Sequence, residues 1–317
     1  MTATAPVITG PYTHKNLDVF LIHGNDLADT SNYITLEEAF DQKMIVVHET
    51  GNVGELLIEN LLPNKDIFIQ SGEIVRGGKQ DRTLGVDFIL AARSGRVPIP
   101  SFCVESGRWH SRAGEAMHCF SSSKHYLSSK KLKIATKVEA NQGQVWEHVA
   151  EGQQKLEDSM GAPVRDERSA SSLELTLDHE KIKRETEDYL VALTPIAKEK
   201  PDTLGFLFAI NGRINSAESY ASHELFTKLW NKLAHAAAVE AIAESGRPKK
   251  SSKSASVTVT KVRKFLQSSE VGKTETRQVS ERVALHTKRT PKSVLFDTED
   301  KSLGATPIHK NYICHAA

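Results

Sequence analysis

At 317 residues, 39% hydrophobic and 26% charged, the chain has room for one large domain or two ordinary ones. It can bury a core without disulfide or metal staples. Lys and Arg number 41 against 40 Asp and Glu, a net charge of +1, which argues against a wholly basic nucleic-acid coat and against an acidic tail protein. No stretch approaches the roughly 18–20 consecutive apolar residues of a membrane helix, and the first twenty residues lack the regions of a signal peptide. Three cysteines, Cys103, Cys119 and Cys314, with no CxxC spacing, fit a reducing, cytoplasmic setting.

In chain order, the first third reads as strands. LDVFLI, MIVVHE, ELLIEN, DIFIQSGE, LGVDFIL and PIPSFCVE are short runs rich in Ile, Val and Phe, separated by turn residues. This pattern predicts antiparallel sheet rather than a doubly wound α/β fold. Pro98 and Pro100 remove ladder donors, which places PIPSFCVE at an edge or after a bend. From 142 the period becomes helical, with Val145, Trp146, Val149 and Leu156 on one face, and a mobile loop is expected to follow up to about 172. A second helix carries Ile182, Tyr189, Leu190 and Leu193, with Asp178 as its expected N-cap and Pro195 as a kink or stop.

LGFLFAI returns to strand, and Asn211-Gly212 is a hairpin-turn dipeptide. Leu225, Phe226, Leu229, Trp230, Leu233 and Ala237 mark a long helix over 222–245, stopped by Gly246. GRPKKSSKSAS, 246–256, reads as a flexible connector. SVTVTKVRKFL and ERVALHTK alternate as strands, and SVLFDT closes the sheet. The expected fold is a single α+β domain, 1–317. It has an antiparallel, β-sandwich-like core from both chain ends (15–120, 203–220 and 255–315) and a helical layer from 142–200 and 222–245.

Two polar blocks stand out at strand ends. SGEIVRGGKQDR supplies Glu73, Arg76, Gly77, Gly78, Gln80, Asp81 and Arg82; CVESGRWHSR supplies Cys103, Glu105, Arg108 and Trp109. Carboxylates among guanidinium groups can act as general acid and base. Arg planes grip phosphate or carboxylate bidentately, a Trp can stack on a base or sugar, and a Gly pair lets backbone N–H groups approach an anion. The bland alternatives are a Glu73–Arg82 ion pair tying two strands, a simple hairpin at Gly77-Gly78, and Cys103 as a small buried hydrophobe.

No HExxH, HxH or CxxC pair occurs, so no metal site is expected. His118, Cys119 and His125 lie close in sequence, but neighbouring strand residues point to opposite faces. No GxSxG, P-loop or GxGxxG occurs, so no particular cofactor or nucleophile is implied.

SGEIVRGGKQDR followed by IPSFCVESGRW resembles the signature of the ARG and rhodanese-phosphatase-superfamily-associated protein domain. LFAINGRINSAESYASHELFTKLWNKLAHAAAVEAI and the closing IHKNY resemble its second half, so the likeness spans roughly 15–315. Carried over residue by residue, its motif falls on Glu73, Gly77, Gln80, Arg82, Cys103, Glu105, Gly107, Arg108 and Trp109. The family has no established activity. Its association with ADP-ribosylglycohydrolase-like and phosphatase-like proteins implies nucleotide or ADP-ribose metabolism. The connector 246–256 departs from the pattern.

Together these observations give two expectations. In the first, the chain binds or hydrolyses a phosphorylated, ADP-ribose-like small molecule, with Glu105 and Glu73 catalytic and Gln80, Arg82, Cys103, Arg108 and Trp109 binding. In the second, it is a non-catalytic interaction module. Segment 246–292 holds thirteen Lys and Arg against three Glu, a charge of +10, and would dock a polyanion or protein partner.

Overall fold

The computed structural model describes residues 6–108, 110, 120–127, 129–198, 200–246 and 256–315. Trp109, His118, Cys119 and most of the 246–256 connector lie outside the described residues. In chain order the strands and helices are β1 (Val7–His14), β2 (Leu17–His23), β3 (Tyr33–Thr35), α1 (Leu36–Asp41), β4 (Ile45–Glu49), β5 (Glu55–Asn60), β6 (Asp66–Ile69), β7 (Glu73–Gly77), β8 (Arg82–Leu84), β9 (Phe88–Leu90), β10 (Gly95–Cys103) and β11 (Phe120–Tyr126). There follow α2 (Lys130–Ile134), α3 (Gln142–Met160), α4 (Leu173–Leu177), α5 (Glu180–Lys198), β12 (Thr203–Ile210), β13 (Arg213–Tyr220), α6 (His223–Ala243), α7 (Val259–Ser269), β14 (Lys273–Gln278), β15 (Val283–Arg289), β16 (Ser293–Asp300) and β17 (Pro307–Cys314). The fold is α+β with large antiparallel sheets.

The chain divides into two compact units, the first formed by 1–31, 189–237 and 247–317, the second by 32–188 and 238–246. The first unit holds an eight-stranded sheet ordered β1-β2-β12-β13-β17-β16-β15-β14, antiparallel throughout. Both chain ends enter it, as the strand patterns predict. Asn211 and Gly212 join β12 to β13 with φ of 51° and 73°, the double positive φ that a tight hairpin of matching twist requires. Strands 33–126 form sheets of their own in the second unit instead of joining this one.

The expected strand SVTVTKVRKFL is corrected by the structure. Thr258 caps α7 by accepting from the Lys261 N–H at 3.3 Å. Val262 and Leu266, four apart, pack with Val257 against Phe20, Leu207, Leu295 and Tyr312 of the sheet. The Val–Thr alternation covers only the first turn. Beyond it the apolar residues recur at helical spacing and every other position is Lys, Arg, Gln or Ser, so burial of one stripe selects helix.

The second unit holds a six-stranded antiparallel sheet ordered β11-β7-β8-β10-β5-β4 and a small sheet ordered β3-β6-β9. β10 explains its own prolines. Gly95–Pro100 pairs with β5, and pairing to β8 begins only at Ser101, so Pro98 and Pro100 sit where one side of the strand needs no donor. α1 was not foreseen, although TLEE carries a capping box: Thr35 accepts from the Glu38 N–H while Glu38 accepts from the Thr35 N–H. Asp178, the expected N-cap of α5, is instead the C-cap of α4. α4 has its own cap, Ser172, whose hydroxyl accepts from Leu175 N–H at 3.2 Å. Pro195 lies inside α5, which runs on to Lys198.

Candidate functional site

The β7–β8 hairpin and the end of β10 bring most of the predicted residues together in the second unit. Cys103 stands opposite Arg82 in the register, and the next residues of the chain carry Glu105 and Arg108 to the same end of the sheet. Gly77 and Gly78 turn the hairpin with φ of 124° and 58°. The anions their turn meets are the chain's own: Gly77 N–H donates to Asp81 Oδ1 at 3.0 Å, and Lys79 N–H to Glu49 Oε1 at 2.9 Å. A Cβ on Gly78 would collide with the Phe120 ring and stand 2.6 Å from Glu49 Oε1, so the close approach needs glycine there.

The cluster is buried and bonded inward. Glu105 accepts from Arg108 Nε at 2.8 Å, and Arg108 Nη2 lies 2.8 Å from the same carboxylate oxygen, with side chains 0% and 6% exposed. Arg108 Nη1 also donates to the His110 carbonyl at 2.6 Å, and Asp81 lies 3.8 Å from Nη2. Arg82 donates to the Val53 carbonyl at 3.1 Å and to Cys103 Sγ, and pairs with Glu49 at 3.4 Å. Its partner is therefore Glu49, not the Glu73 that the sequence offered. Gln80, fully buried, donates to the Glu105 carbonyl at 3.1 Å. Gln142 caps the end of β10 like a missing strand, accepting from Cys103 N–H at 2.8 Å and donating to its carbonyl at 2.9 Å.

Burial pushes the Cys103 thiol up to about 11 against the opposing pull of Arg82, which keeps it protonated and unreactive near neutral pH. Glu73 is buried at the other end of β7, about 13 Å along the strand from Gly77 at ~3.3 Å per residue. It accepts from the Gln70 N–H at 3.1 Å.

Beside this cluster lies a cavity of about 220 Å³ lined by Ser106, Trp146, Val149, Gln153, Arg165 and Ser171, with Ala150 and Ala170 completing its wall. Its walls descend directly from the motif. Trp146 Nε1 donates to the Glu105 carbonyl at 3.2 Å, Ser171 Oγ donates to the Ser106 carbonyl at 2.6 Å, and Ser106 N–H donates back to Ser171 Oγ at 3.1 Å. Gln153, buried in α3, is held by the carbonyls of Ala170 and Ser172 and the hydroxyl of Thr176. The segment expected to be a mobile loop thus has defined turns and supplies Arg165 and Ser171. The Arg165 side chain is 34% exposed, with Nε 3.3 Å from Glu157 Oε2.

A third constellation joins β11 to α4. His125, Glu174 and Asp178 place one donor atom each within 4.8 Å of one another. His125 and Glu174 are buried and Asp178 is half-buried. Burial raises the Glu174 carboxyl, and Asp81 adds to this against His125, Ser123 and Arg76. His125 beside it, with Lys183, holds Asp178 well below the usual carboxylate range. Sequence spacing could show only that Glu174 and Asp178, four apart, share a helix face. That His125, some fifty residues earlier, meets them is decided by tertiary packing.

The architecture is that of a sheet-built α+β chain whose sequence motif lies beside a small cavity and contributes Ser106 to its wall. The chain matches the ARG and Rhodanese-Phosphatase-superfamily-associated Protein domain over residues 6–313 and belongs to that family. No curated protein and no solved structure matches it.

Proposed function

We propose that the second unit binds a phosphorylated, nucleotide-related small molecule of the ADP-ribose type in the cavity beside the CVESGR motif. The observation that carries this reading is the cavity's composition. An indole is fixed by its own N–H to the motif backbone, and the small apolar side chains of Val149, Ala150 and Ala170, the partly exposed Arg165 side chain and two serines complete the lining. An indole of fixed orientation accepts a planar base or a sugar face, and a guanidinium at the rim grips a phosphate. A volume of about 220 Å³ is below the ~300–1,000 Å³ of sites that enclose a whole drug-sized ligand. In this reading one moiety, a base or a pentose phosphate, lodges in the half-open recess, and the rest extends past Arg165.

In this reading Gln80, Arg82, Cys103, Glu105 and Arg108 are positioning residues. Their side chains bond chiefly to one another, to Glu49 and to the backbone, and they set the wall rather than touch the ligand. Thermal denaturation against ADP-ribose, AMP and ribose 5-phosphate tests it. Ligand at about 100 times its dissociation constant adds ~2.7 kcal/mol of stability, and Arg165→Ala removes that gain. A flat response to all three refutes it.

One observation favours a second reading, an interaction module. Lys261, Arg263 and Lys264 on α7 and Lys273 and Arg277 on β14 are exposed, and β14 is an edge strand exposed along its length. Part of the basic segment is neutralised internally, since Arg282 grips Asp300 at 2.7 and 2.8 Å and Lys288 pairs with Glu270 at 2.9 Å. Charges on an edge strand also serve to prevent sheet-to-sheet pairing. A polyanion complex whose affinity falls steeply with salt, weakened in Lys261→Ala/Lys264→Ala, would favour this module.

A further inference from the structure

We propose that His125, Glu174 and Asp178 form a binding site for a divalent transition-metal ion of the zinc–manganese class. The donor set is one imidazole nitrogen and two carboxylates, the mixture such ions take in sites that keep positions open for water or substrate. The fold presents it in a definite way. Glu174 lies in the first turn of α4 and Asp178 is its C-cap, so an i, i+4 spacing puts both carboxylates on one face. β11 sets His125 across from them, with its Nε2 3.6 Å from Asp178 Oδ1.

Donor atoms within 4.8 Å of one another need to draw in by up to about 1.3–1.8 Å to reach the ~3.0–3.5 Å separations of ligands held near 2.1 Å from one ion. An outer layer is already built: Ser123 Oγ lies 2.9 and 2.7 Å from the two Glu174 oxygens, and donates to this carboxylate. Such contacts orient a ligating carboxylate.

The charge balance explains how the site stands ready. Arg76 Nη1 lies 3.3 Å from Asp178 and 3.9 Å from Glu174, and Lys183 Nζ lies 3.2 Å from Asp178. These two single positive charges occupy the space a doubly charged ion would neutralise. Their side chains are 36% and 50% exposed, so both can swing into water as the ion enters. The exchange conserves the local charge. Asp178 closes the C-terminal end of α4, while Glu174 stands in its first turn, three residues beyond Ser171 of the cavity wall; the ion titration is run without any cavity ligand.

The test titrates the full chain with Zn2+ and, separately, Mn2+, following heat by calorimetry and the free Mn2+ signal by electron paramagnetic resonance. The expected result is one ion per chain. Affinity should fall at least tenfold in His125→Ala and in the near-isosteric Glu174→Gln and Asp178→Asn. Arg76→Ala, which removes a competing cation at a partly exposed position, should bind the ion more tightly than wild type. Circular dichroism checks that each variant folds. If a ligand variant fails to fold, the Arg76→Ala arm decides alone. The proposal is overturned if wild type and Arg76→Ala both fail to bind either ion, if binding persists unchanged in folded ligand variants, or if Arg76→Ala binds no more tightly than wild type.

Discussion

Breaking the Glu105–Arg108 pair gives the sharpest prediction about the motif. Both side chains are almost wholly withdrawn from solvent, and two guanidinium nitrogens stand 2.8 Å from one carboxylate oxygen. Removing either partner strands a buried charge, which costs about 3–5 kcal/mol. A unit of this size loses about 2–4 °C of melting temperature per kcal/mol, so Glu105→Ala and Arg108→Ala should each melt roughly 6–20 °C lower by scanning calorimetry. Replacing both, as in Glu105→Met/Arg108→Met, removes the unpaired charge and should cost less than the two single changes added together. Recovery will be partial, because the His110 carbonyl loses its Arg108 donor and Asp81 loses a neighbouring cation. Single variants that each cost under about 1 kcal/mol would refute the view that this pair is a buried anchor.

Cys103 should resist alkylation in the native protein at pH 8 and react once urea unfolds the chain, since burial holds its thiol near 11; peptide mass spectrometry after iodoacetamide treatment would read this directly. Gly78→Ala should destabilise by about 1–3 kcal/mol, because its Cβ would meet Phe120 and Glu49 at a positive φ, and denaturant titration measures it. Glu151 gives a pH prediction: burial would raise its carboxyl, but the Lys131 and Lys155 ammonium groups outweigh this and hold it at about 2, from an ordinary 4.5. A carboxyl lowered in the folded state contributes stability above its unfolded value and loses it as pH falls toward 2. With both side chains partly exposed, the pair is worth under about 1 kcal/mol. Lys131→Ala should therefore lower stability slightly at pH 7, by an amount that shrinks as pH falls through about 2, as urea midpoints at the two pH values will show.

The sequence and the fold agree where the pattern is local. Asn211-Gly212 announces its hairpin, and the Leu225–Ala237 stripe announces α6, because turn chemistry and helical period are written in neighbouring residues. α7 was hidden because Val257 and Val259 alternate with Thr for just long enough to imitate a strand. The distribution of strands between two units was also hidden, since pairing partners leave no local mark. Within the site, the convergence of Gln80, Arg82, Cys103, Glu105 and Arg108 follows from strand ends that pair. The direction in which those side chains point does not. Arg82 turns to Glu49 and Val53, which no spacing rule connects to it. Trp146 and Arg165 were legible only as a helix face and a polar loop. They become a cavity once α3 and the turn before α4 close around Ser106.

The most direct test of the central claim is calorimetric titration of the wild-type chain with ADP-ribose, AMP and ribose 5-phosphate, repeated with Arg165→Ala and Trp146→Leu. Saturable binding of at least one of the three, lost in both variants while circular dichroism shows them folded, is the predicted result. No binding by the wild type, or binding that both variants retain in full, would contradict it.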